Sequence, residues 1–471
     1  MKTSLPERRP PRDGRTGVPD ASGGSNGSEG SGLRGTSAAR TRVKVGIAVL
    51  GLAAALTAGA SLFPREPVSP GTGSADVPVQ IAGPAELPAS AASVEEAIKG
   101  LGDRLRRLPR DDQAWAGLGA AYIQQARLTA DPSLYPKAEQ ALARSAELKP
   151  DNFAALTGQA ALAAGRHDFT EAVRLARRSV AVNPYGSGAQ AVLADAYTQL
   201  GRYGDAERAI DRMMELRPGV AAFTRASYAA ELRGDRAEAR RMLERALQDA
   251  FTPADVAYCH YYLGELDLHA GDLAGAAERY RMALQASADF TPALAGSARA
   301  AALDGRTAEA LDLYATVVGR LPLAQYVVEY AEVLKASGAD PSGQWELLRA
   351  QRSLMAEAGV RDDLTWAEYE ADHGSPARAV EHARAEYARN PNVVAADALA
   401  WALHRDGRSR EALPYAKKAT ATGWRNALLL HHRAEIERAL GMKEQARRSA
   451  GAARDANPAF SPRLSALARF S

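Results

Sequence analysis

Small and apolar side chains recur at helical spacing through most of the chain, and the stretch from Ala189 to Pro218 shows the pattern most clearly. Its first half, AQAVLADAYTQLG, places apolar residues on one face of a helix, and its second half, RYGDAERAIDRMMELRP, repeats the arrangement. Gly201 separates the halves and Pro218 ends the unit, which predicts a hairpin of two helices. Ala206 follows the glycine by five residues, where a small side chain lets the two helices approach closely.

The same Gly-x4-Ala spacing returns along the chain, so the hairpin is a repeat. The glycines that carry it are Gly201, Gly234, Gly271, Gly305, Gly374, Gly407 and Gly441. Successive members are 33, 37, 34, 69, 33 and 34 residues apart. The interval of 69 covers two periods with a degenerate member at Gly338, where Gly343 takes the place of the alanine. No run alternates with period two for long enough to predict a sheet.

A period of about 34 residues resembles the tetratricopeptide repeat. The best match is formed by Trp115, Leu118, Gly119 and Tyr122, and its second half by Ala138, Leu142 and Pro150 after a longer loop. The resemblance, to bacterial members of the family, covers residues 93–471. It implies an all-α solenoid, a right-handed superhelix of about nine to ten hairpins with a concave groove. Residues after Pro458, including Leu464 and Leu467, are expected to form a short C-terminal capping helix.

The first 92 residues differ from the repeats in composition and divide into three parts. Residues 1–44 hold nine Lys or Arg against four Asp or Glu and few bulky apolar side chains, which predicts a disordered basic tail. Residues 45–63 carry no charge over nineteen positions, about the length of a transmembrane helix or signal anchor. Residues 64–92 contain six prolines and are expected to form a semi-extended linker.

Arg40, Arg42 and Lys44 precede the apolar run, so the positive-inside rule places the N-terminus in the cytoplasm and the solenoid outside it. Two alternatives remain at this stage, a buried core helix and a cleaved signal peptide. Ala58-Gly59-Ala60 would suit cleavage, but the 44 residues ahead of the run are long for a signal peptide. We therefore favour an uncleaved single-pass anchor in the cell membrane, with secretion after cleavage as the alternative.

Composition and charge narrow the classes of function. The whole chain carries a net charge of +3, and the basic tail accounts for more than that excess, so the repeats are a poor electrostatic match for nucleic acid. Cys259 is the single cysteine, which excludes an internal disulfide, and its place on a predicted helix favours a buried, inert thiol. No phosphate-binding loop or catalytic constellation is present. We therefore predict no enzyme activity and no cofactor.

Aromatic and acidic residues cluster on the first helices of several repeats, at positions that the repeat period places near the groove. They are Tyr258, Tyr261, Tyr262, Glu265, Tyr326, Glu329, Tyr330, Asp397, Trp401, His404, His431 and Glu435. Such a surface suits an extended or helical peptide. The alternative is that the tyrosines only fill gaps between helices.

The histidines near the end of the chain permit a second interpretation. His431 and Glu435 are four residues apart on one predicted helix and could share a metal ion, with His432 and His404 close by. The sequence supplies neither an HExxH motif nor a third ligand. The leading hypothesis is thus a membrane-tethered scaffold that binds a partner protein, in the assembly of a secreted or envelope complex. The alternative is an accessory protein that handles a metal.

Overall fold

The structure, a computed structural model, describes residues 91–469. Within that range the secondary structure is entirely helical, with no strand. The helices are α1 Ala91–Arg107, α2 Asp112–Thr129, α3 Tyr135–Leu148, α4 Phe153–Gly165, α5 Phe169–Val182, α6 Ser187–Gln199, α7 Tyr203–Leu216, α8 Val220–Leu232, α9 Arg236–Gln248, α10 Pro253–His269, α11 Leu273–Ala286, α12 Thr291–Leu303, α13 Thr307–Arg320, α14 Ala324–Ser337, α15 Ser342–Glu357, α16 Asp363–His373, α17 Pro376–Arg389, α18 Val393–Arg405, α19 Ser409–Ala419, α20 Ala427–Ala439 and α21 Lys443–Ala456. Short 3-10 helices cover Pro132–Leu134 and Pro462–Ala468.

Helices α2 to α21 pair in order as hairpins, and each hairpin packs against the next. Helix α1 packs against α2 ahead of the first hairpin. The prediction of an all-helical solenoid built of helical hairpins is confirmed for the described residues. The longer loop of the first hairpin contains the 3-10 helix Pro132–Leu134, which keeps α2 and α3 paired in spite of the inserted residues.

Each hairpin turns at the position that the repeat pattern indicates. Gly201 has a φ of 67°, a left-handed conformation that glycine adopts without steric cost, and Ala206 on the following helix is buried. Several second helices begin with an aspartate cap; the carboxylate of Asp235, for example, accepts a hydrogen bond from the Glu238 amide at 2.9 Å. The turn and the cap together set the angle at which the second helix returns along the first.

Turns and loops about 190 positions apart in the sequence are in contact, and we call this set of contacts the seam. The side-chain amide of Asn392 donates to the Gln199 backbone carbonyl at 2.8 Å, and the backbone N–H of Val393 donates to the Tyr203 hydroxyl at 3.0 Å. Further along, Arg236 donates to the carbonyl of Arg425 at 3.0 Å. The seam therefore joins the turns of early hairpins to the loops that connect late ones.

The first helix of a hairpin is buried on more sides than the second, because it also packs against the first helices of neighbouring hairpins, as α2 does against α4. Helix α10 buries twelve of its 17 residues, whereas its partner α11 buries three of 14. The second helices face solvent with Arg–Glu pairs one turn apart, such as Arg281 with Glu278. The interior thus lies along the first helices, where the candidate binding residues are also located.

No helix between residues 91 and 469 is both long and apolar enough to span a membrane. The predicted anchor at 45–63, the basic tail at 1–44 and nearly all of the linker at 64–92 lie outside the described residues.

Candidate partner-binding surface

The candidate binding residues all lie on first helices, namely α10, α14, α18 and α20, as the repeat period places them. Half of them are buried, with exposed fractions of 6% or less: Tyr258, Tyr261, Glu265, Tyr326, Glu329 and Asp397. The other half are partly exposed: Tyr262, Tyr330, Trp401, His404, His431 and Glu435. The structure thus separates the set into an interior group and a partly accessible group.

Four of the interior group, Tyr261, Glu265, Tyr326 and Glu329, lie around Arg299, which is 1% exposed on α12. Its guanidinium contacts Glu265 of α10 at 2.8 Å and Glu329 of α14 at 3.1 Å. The hydroxyl of Tyr280 donates to Glu265 at 2.6 Å, and that of Tyr314 donates to Glu329 at 3.0 Å. We call Arg299, Glu265, Glu329, Tyr280 and Tyr314 the ion cluster. It ties three consecutive hairpins together at their centre.

The titration of the ion cluster reflects its burial and its opposite charges. Burial raises the pKa of Glu329, although Arg299 acts in the opposite direction. Burial alone would lower the pKa of Arg299, but the two carboxylates outweigh it and leave that pKa well above its usual range. A buried charge set of this kind belongs to the framework of the solenoid, because removing one member leaves the others unpaired.

Arg299, Tyr280 and Tyr314 are absent from the candidate set, although the repeat register marks the arginine. Arg299 precedes its turn glycine, Gly305, by six residues, as Glu265 precedes Gly271. Opposite charges at equivalent positions of neighbouring hairpins were a readable signal of an ion pair. The two tyrosines lie on second helices, α11 and α13, which the groove pattern did not consider.

The partly accessible group lies mainly on α18 and α20. The Trp401 ring stacks on His432 with centroids 4.0 Å apart, and His432 Nδ1 lies 2.8 Å from Asp397 Oδ2. His404 Nδ1 lies 2.9 Å from the Ser409 hydroxyl. These contacts occupy the imidazoles with partners inside the protein.

His431 and Glu435, the pair proposed for a metal, are 3.9 Å apart. Burial lowers the pKa of His431, and His432 lowers it further. Among residues 91–469 no group of three or more His, Cys, Asp or Glu side chains is arranged to hold a metal ion. Nothing in the described part of the chain thus adds a third ligand to the pair.

The predicted capping segment takes an unexpected position. Residues 458–469, which we call the inner segment, include the 3-10 helix Pro462–Ala468. This helix packs against α14 and α20. Leu467 is 2% exposed and belongs to an apolar cluster with Ala298 and Val333 of α12 and α14. The segment therefore reaches across first helices three hairpins before the last one, beyond the end face that a cap would cover.

Three carboxylates receive the inner segment: Glu332 on α14, and Glu368 and Asp372 on α16. We call them the acidic surface. The N–H of Ala466 donates to Glu332 at 2.8 Å. The Arg469 guanidinium donates to Asp372 at 2.6 Å and lies 3.3 Å from Glu368. A chain segment is thus held through its backbone and one cationic side chain.

Charge and burial compete at the acidic surface. Burial raises the pKa of Glu368 to about 7, with Arg469 opposing the rise. Burial also acts to raise the pKa of Asp372, but Arg469 and a hydrogen bond from Trp401 outweigh it and lower that pKa. Trp401 Nε1 donates to Asp372 Oδ1 at 2.8 Å, so this candidate residue is joined to the acidic surface.

Cys259 is fully buried on α10, and burial raises the pKa of its thiol to about 12, with Asp255 adding to the rise. A thiol with so high a pKa is protonated at neutral pH and is a poor nucleophile.

Comparison with known proteins places one part of this architecture in a family. The tetratricopeptide repeat family model matches residues 161–226. The tetratricopeptide protein TTC0263 of Thermus thermophilus is 23% identical, covers 40% of this chain and 98% of its own, and has a TM-score of 0.36. Human IFIT1, solved as a dimer with PPP-AAAA, is 14% identical over 77% of this chain and 86% of its own, with a TM-score of 0.42.

The type IV pilus biogenesis factor PilW is 18% identical over 49% of this chain and 97% of its own, with a TM-score of 0.36. No protein of curated function matches the chain. Residues 161–226 are therefore similar in sequence to tetratricopeptide repeats, and they lie in a solenoid of helical hairpins.

Proposed function

We propose that the solenoid is a protein-binding scaffold that holds a segment of a partner on its later first helices. Tetratricopeptide repeats generally mediate protein–protein interactions and are typically non-catalytic. One observation carries the proposal: the acidic surface already holds a stretch of polypeptide, through Ala466 N–H and the Arg469 guanidinium. Recognition of a short segment by backbone contacts and one or two anchoring side chains is a common mode of peptide binding.

Partly exposed rings beside the acidic surface extend the surface available to a partner. Trp401 and His431 are each partly accessible, and His431 packs against Phe460 of the inner segment with ring centroids 5.4 Å apart. Aromatic residues beside a polar anchor are typical of the residues that dominate binding energy at interfaces. These positions are where a partner would gain most contact.

A photo-crosslinking residue in place of His431, in the full chain and in its native membrane, tests the scaffold. The matched control places the same residue at Val182, which is 45% exposed on α5, a second helix. We expect a discrete adduct at position 431 that is absent at 182, and identification of the trapped protein by mass spectrometry. Equal labelling at both positions would contradict the proposal.

We further propose that residues 45–63 anchor the chain in the cell membrane with the solenoid outside the cytoplasm, where it would serve assembly of a secreted or envelope complex. The apolar run and its basic flank support this orientation. Alkaline extraction should leave the full chain in the membrane fraction, and Leu52→Arg with Leu56→Arg should release it. Added protease should digest the solenoid in spheroplasts. Protection from protease would reverse the orientation, and a shortened, extractable product would indicate cleavage.

A further inference from the structure

We propose that the acidic surface recognises a partner segment in which an arginine lies two positions after an apolar residue. The chain's own Leu467-Ala468-Arg469 has this pattern and occupies the site in cis. The inference rests on the proposed scaffold function and adds the chemistry of the partner and the means by which the site is kept closed.

The acidic surface recognises the inner segment through hydrogen bonds to its backbone and to its arginine. Glu332 accepts the Ala466 N–H at 2.8 Å and the Ser465 hydroxyl at 3.2 Å. Asp372 accepts from the Arg469 guanidinium at 2.6 Å, and Glu368 lies 3.3 Å from it. An arginine fork between two carboxylates suits a planar guanidinium better than an ammonium. A basic partner containing arginine is therefore favoured over one containing lysine.

The apolar half of the recognition centres on Leu467, with smaller contacts from Ala466 and Leu464. Leu467 is 2% exposed and shares an apolar cluster with Ala298, Ala301 and Val333. Leu467 and Arg469 are two positions apart, so a single short segment places one in the apolar cluster and the other between the carboxylates. The recognised unit is small enough to occur on another protein.

The inner segment has the features of a bound ligand. Pro462 and Arg463 are exposed, and only Ala466 and Leu467 are buried within its 3-10 helix. Its hydrogen bonds to Glu332 and Asp372 span 93 to 134 sequence positions. It is thus held at a few anchor points by residues remote in the chain, as a docked peptide is.

One carboxylate oxygen beside the acidic surface is left without a partner by the inner segment. Asp397 Oδ1 is buried and has no hydrogen-bond partner within residues 91–469, whereas Asp397 Oδ2 lies 2.8 Å from His432. Asp397 also lies close enough to Arg469 to stabilise the charged form of the arginine. A partner with a second donor near this arginine would satisfy Asp397 and compete with the inner segment.

The test is binding of a fluorescent peptide, residues 458–469, to the full chain in detergent, measured by anisotropy. In the wild type the resident segment competes, so we expect weak binding. Replacing Leu467→Ala and Arg469→Ala in the protein should free the site and tighten binding by at least about tenfold, because the apparent affinity scales with the fraction of free sites. Arg469→Ala alone in the protein should give an intermediate gain.

Matched peptides define the chemistry. A peptide with Arg469→Ala should lose binding, whereas one with Arg463→Ala should bind as the unchanged peptide does, because Arg463 is exposed. Adding Asp372→Asn to the protein with the freed site should weaken binding by at least about tenfold. Absence of saturable binding to a folded variant, verified by its circular dichroism melt, would overturn the inference, as would equal binding of the two arginine variants.

The peptide result is separate from the test of the scaffold. Peptide binding without a crosslinked partner at position 431 would support the site's chemistry and count against the proposed function. A crosslinked partner that an excess of the peptide fails to displace would support the scaffold and count against this inference.

Discussion

Arg299 and Arg469 each lie between two carboxylates, and the two arginines come from different parts of the structure. Arg299 is supplied by α12 and contacts Glu265 and Glu329 on the hairpins before and after it. Arg469 is supplied by the inner segment and contacts Glu368 and Asp372 on a hairpin about a hundred residues earlier. The side chains are 2% and 8% exposed. The same ion-pair chemistry therefore holds the hairpins of the stack together at Arg299 and holds a segment against the stack at Arg469.

The repeat register explains why both sites exist. The position six residues before the turn glycine faces the interior in each hairpin, and it holds Glu265, Arg299, Glu332 and Glu368 in four consecutive repeats. The first two neutralise each other across neighbouring hairpins. Arg299 precedes Glu332 at that register position but pairs with Glu329 instead. Glu368 has Glu332 and Trp401 at the neighbouring register positions, so the partners of Glu332 and Glu368 come from elsewhere. A break in the charge alternation has thus created a surface that needs a ligand.

Arg299→Met should have the largest effect, because it leaves Glu265 and Glu329 buried without their cation. We expect a loss of about 3–5 kcal/mol in the free energy of unfolding, measured by urea denaturation of the full chain in detergent. Arg306→Met is the matched control, since that side chain is 43% exposed, and its loss should stay below about 0.5 kcal/mol. Equal losses would show that the ion cluster contributes no more than a surface pair.

The next largest effect is expected at the seam, which fixes the loop that precedes α18. Two turn glycines, one in the seam and one outside it, allow its contribution to stability to be measured. Gly201 and Gly407 are both turn glycines, with φ of 67° and 77°. A Cβ added at Gly201 would lie 2.6 Å from the Pro391 carbonyl oxygen. A Cβ added at Gly407 would have no atom within 4 Å of it. Gly407→Ala should cost about 1 kcal/mol from the left-handed backbone alone. Gly201→Ala should cost about 1–3 kcal/mol more, from overpacking, in the same measurement.

Similar losses of unfolding free energy in the two alanine variants would contradict this prediction. They would mean that the turn at Gly201 can shift away from Pro391 at little cost.

The fold could be predicted from the sequence because each hairpin is formed by residues close together in the chain. Gly201, Ala206 and Pro218 lie within one period, and their spacing reports helices, turn and close approach directly. The seam was not readable, because Gly201 and Gly407 carry the same signature and the same sign of φ in entirely different surroundings. Contacts 190 residues apart depend on the superhelical rotation summed over several hairpins, which no single period encodes.

The candidate site was readable only in part for the same reason. The register correctly placed Glu265, Glu329 and Trp401 on first helices. It could not show that the first two are interior, since burial there depends on the seam and on the neighbouring hairpins. Arg469 has no repeat register at all, so its place between Glu368 and Asp372 was inaccessible to periodicity.

The raised pKa of Glu368 should make the free energy of unfolding depend on pH through the acidic surface. Its pKa in the folded protein, about 7, lies above the ordinary value of 4.5, so the folded state binds more protons than the unfolded state between those values. Stability should therefore fall as the pH rises from about 4.5 to 7. Glu231, with a pKa near 8, changes in the same direction and leaves a background slope.

Glu368→Gln should remove about 1–2 kcal/mol of that decline, seen as a flatter dependence of unfolding free energy on pH. Glu357→Gln, at an exposed site on α15, is the control and should leave the slope unchanged. An unchanged slope in Glu368→Gln would mean that this carboxylate is well solvated in the folded state.

Arg469→Met should have the smallest effect on global stability, about 1 kcal/mol or less, although Arg469 is nearly as buried as Arg299. The difference arises because the inner segment can lift away and let water reach Glu368 and Asp372, a route closed to the carboxylates around Arg299. Hydrogen exchange measures that opening. The Ala466 amide, bonded to Glu332, should exchange at least about a hundredfold faster than amides in the middle of α12. Arg469→Met should speed its exchange further while leaving α12 unchanged. A loss as large as that of Arg299→Met, with both amides accelerated together, would instead make the inner segment part of the cooperative core.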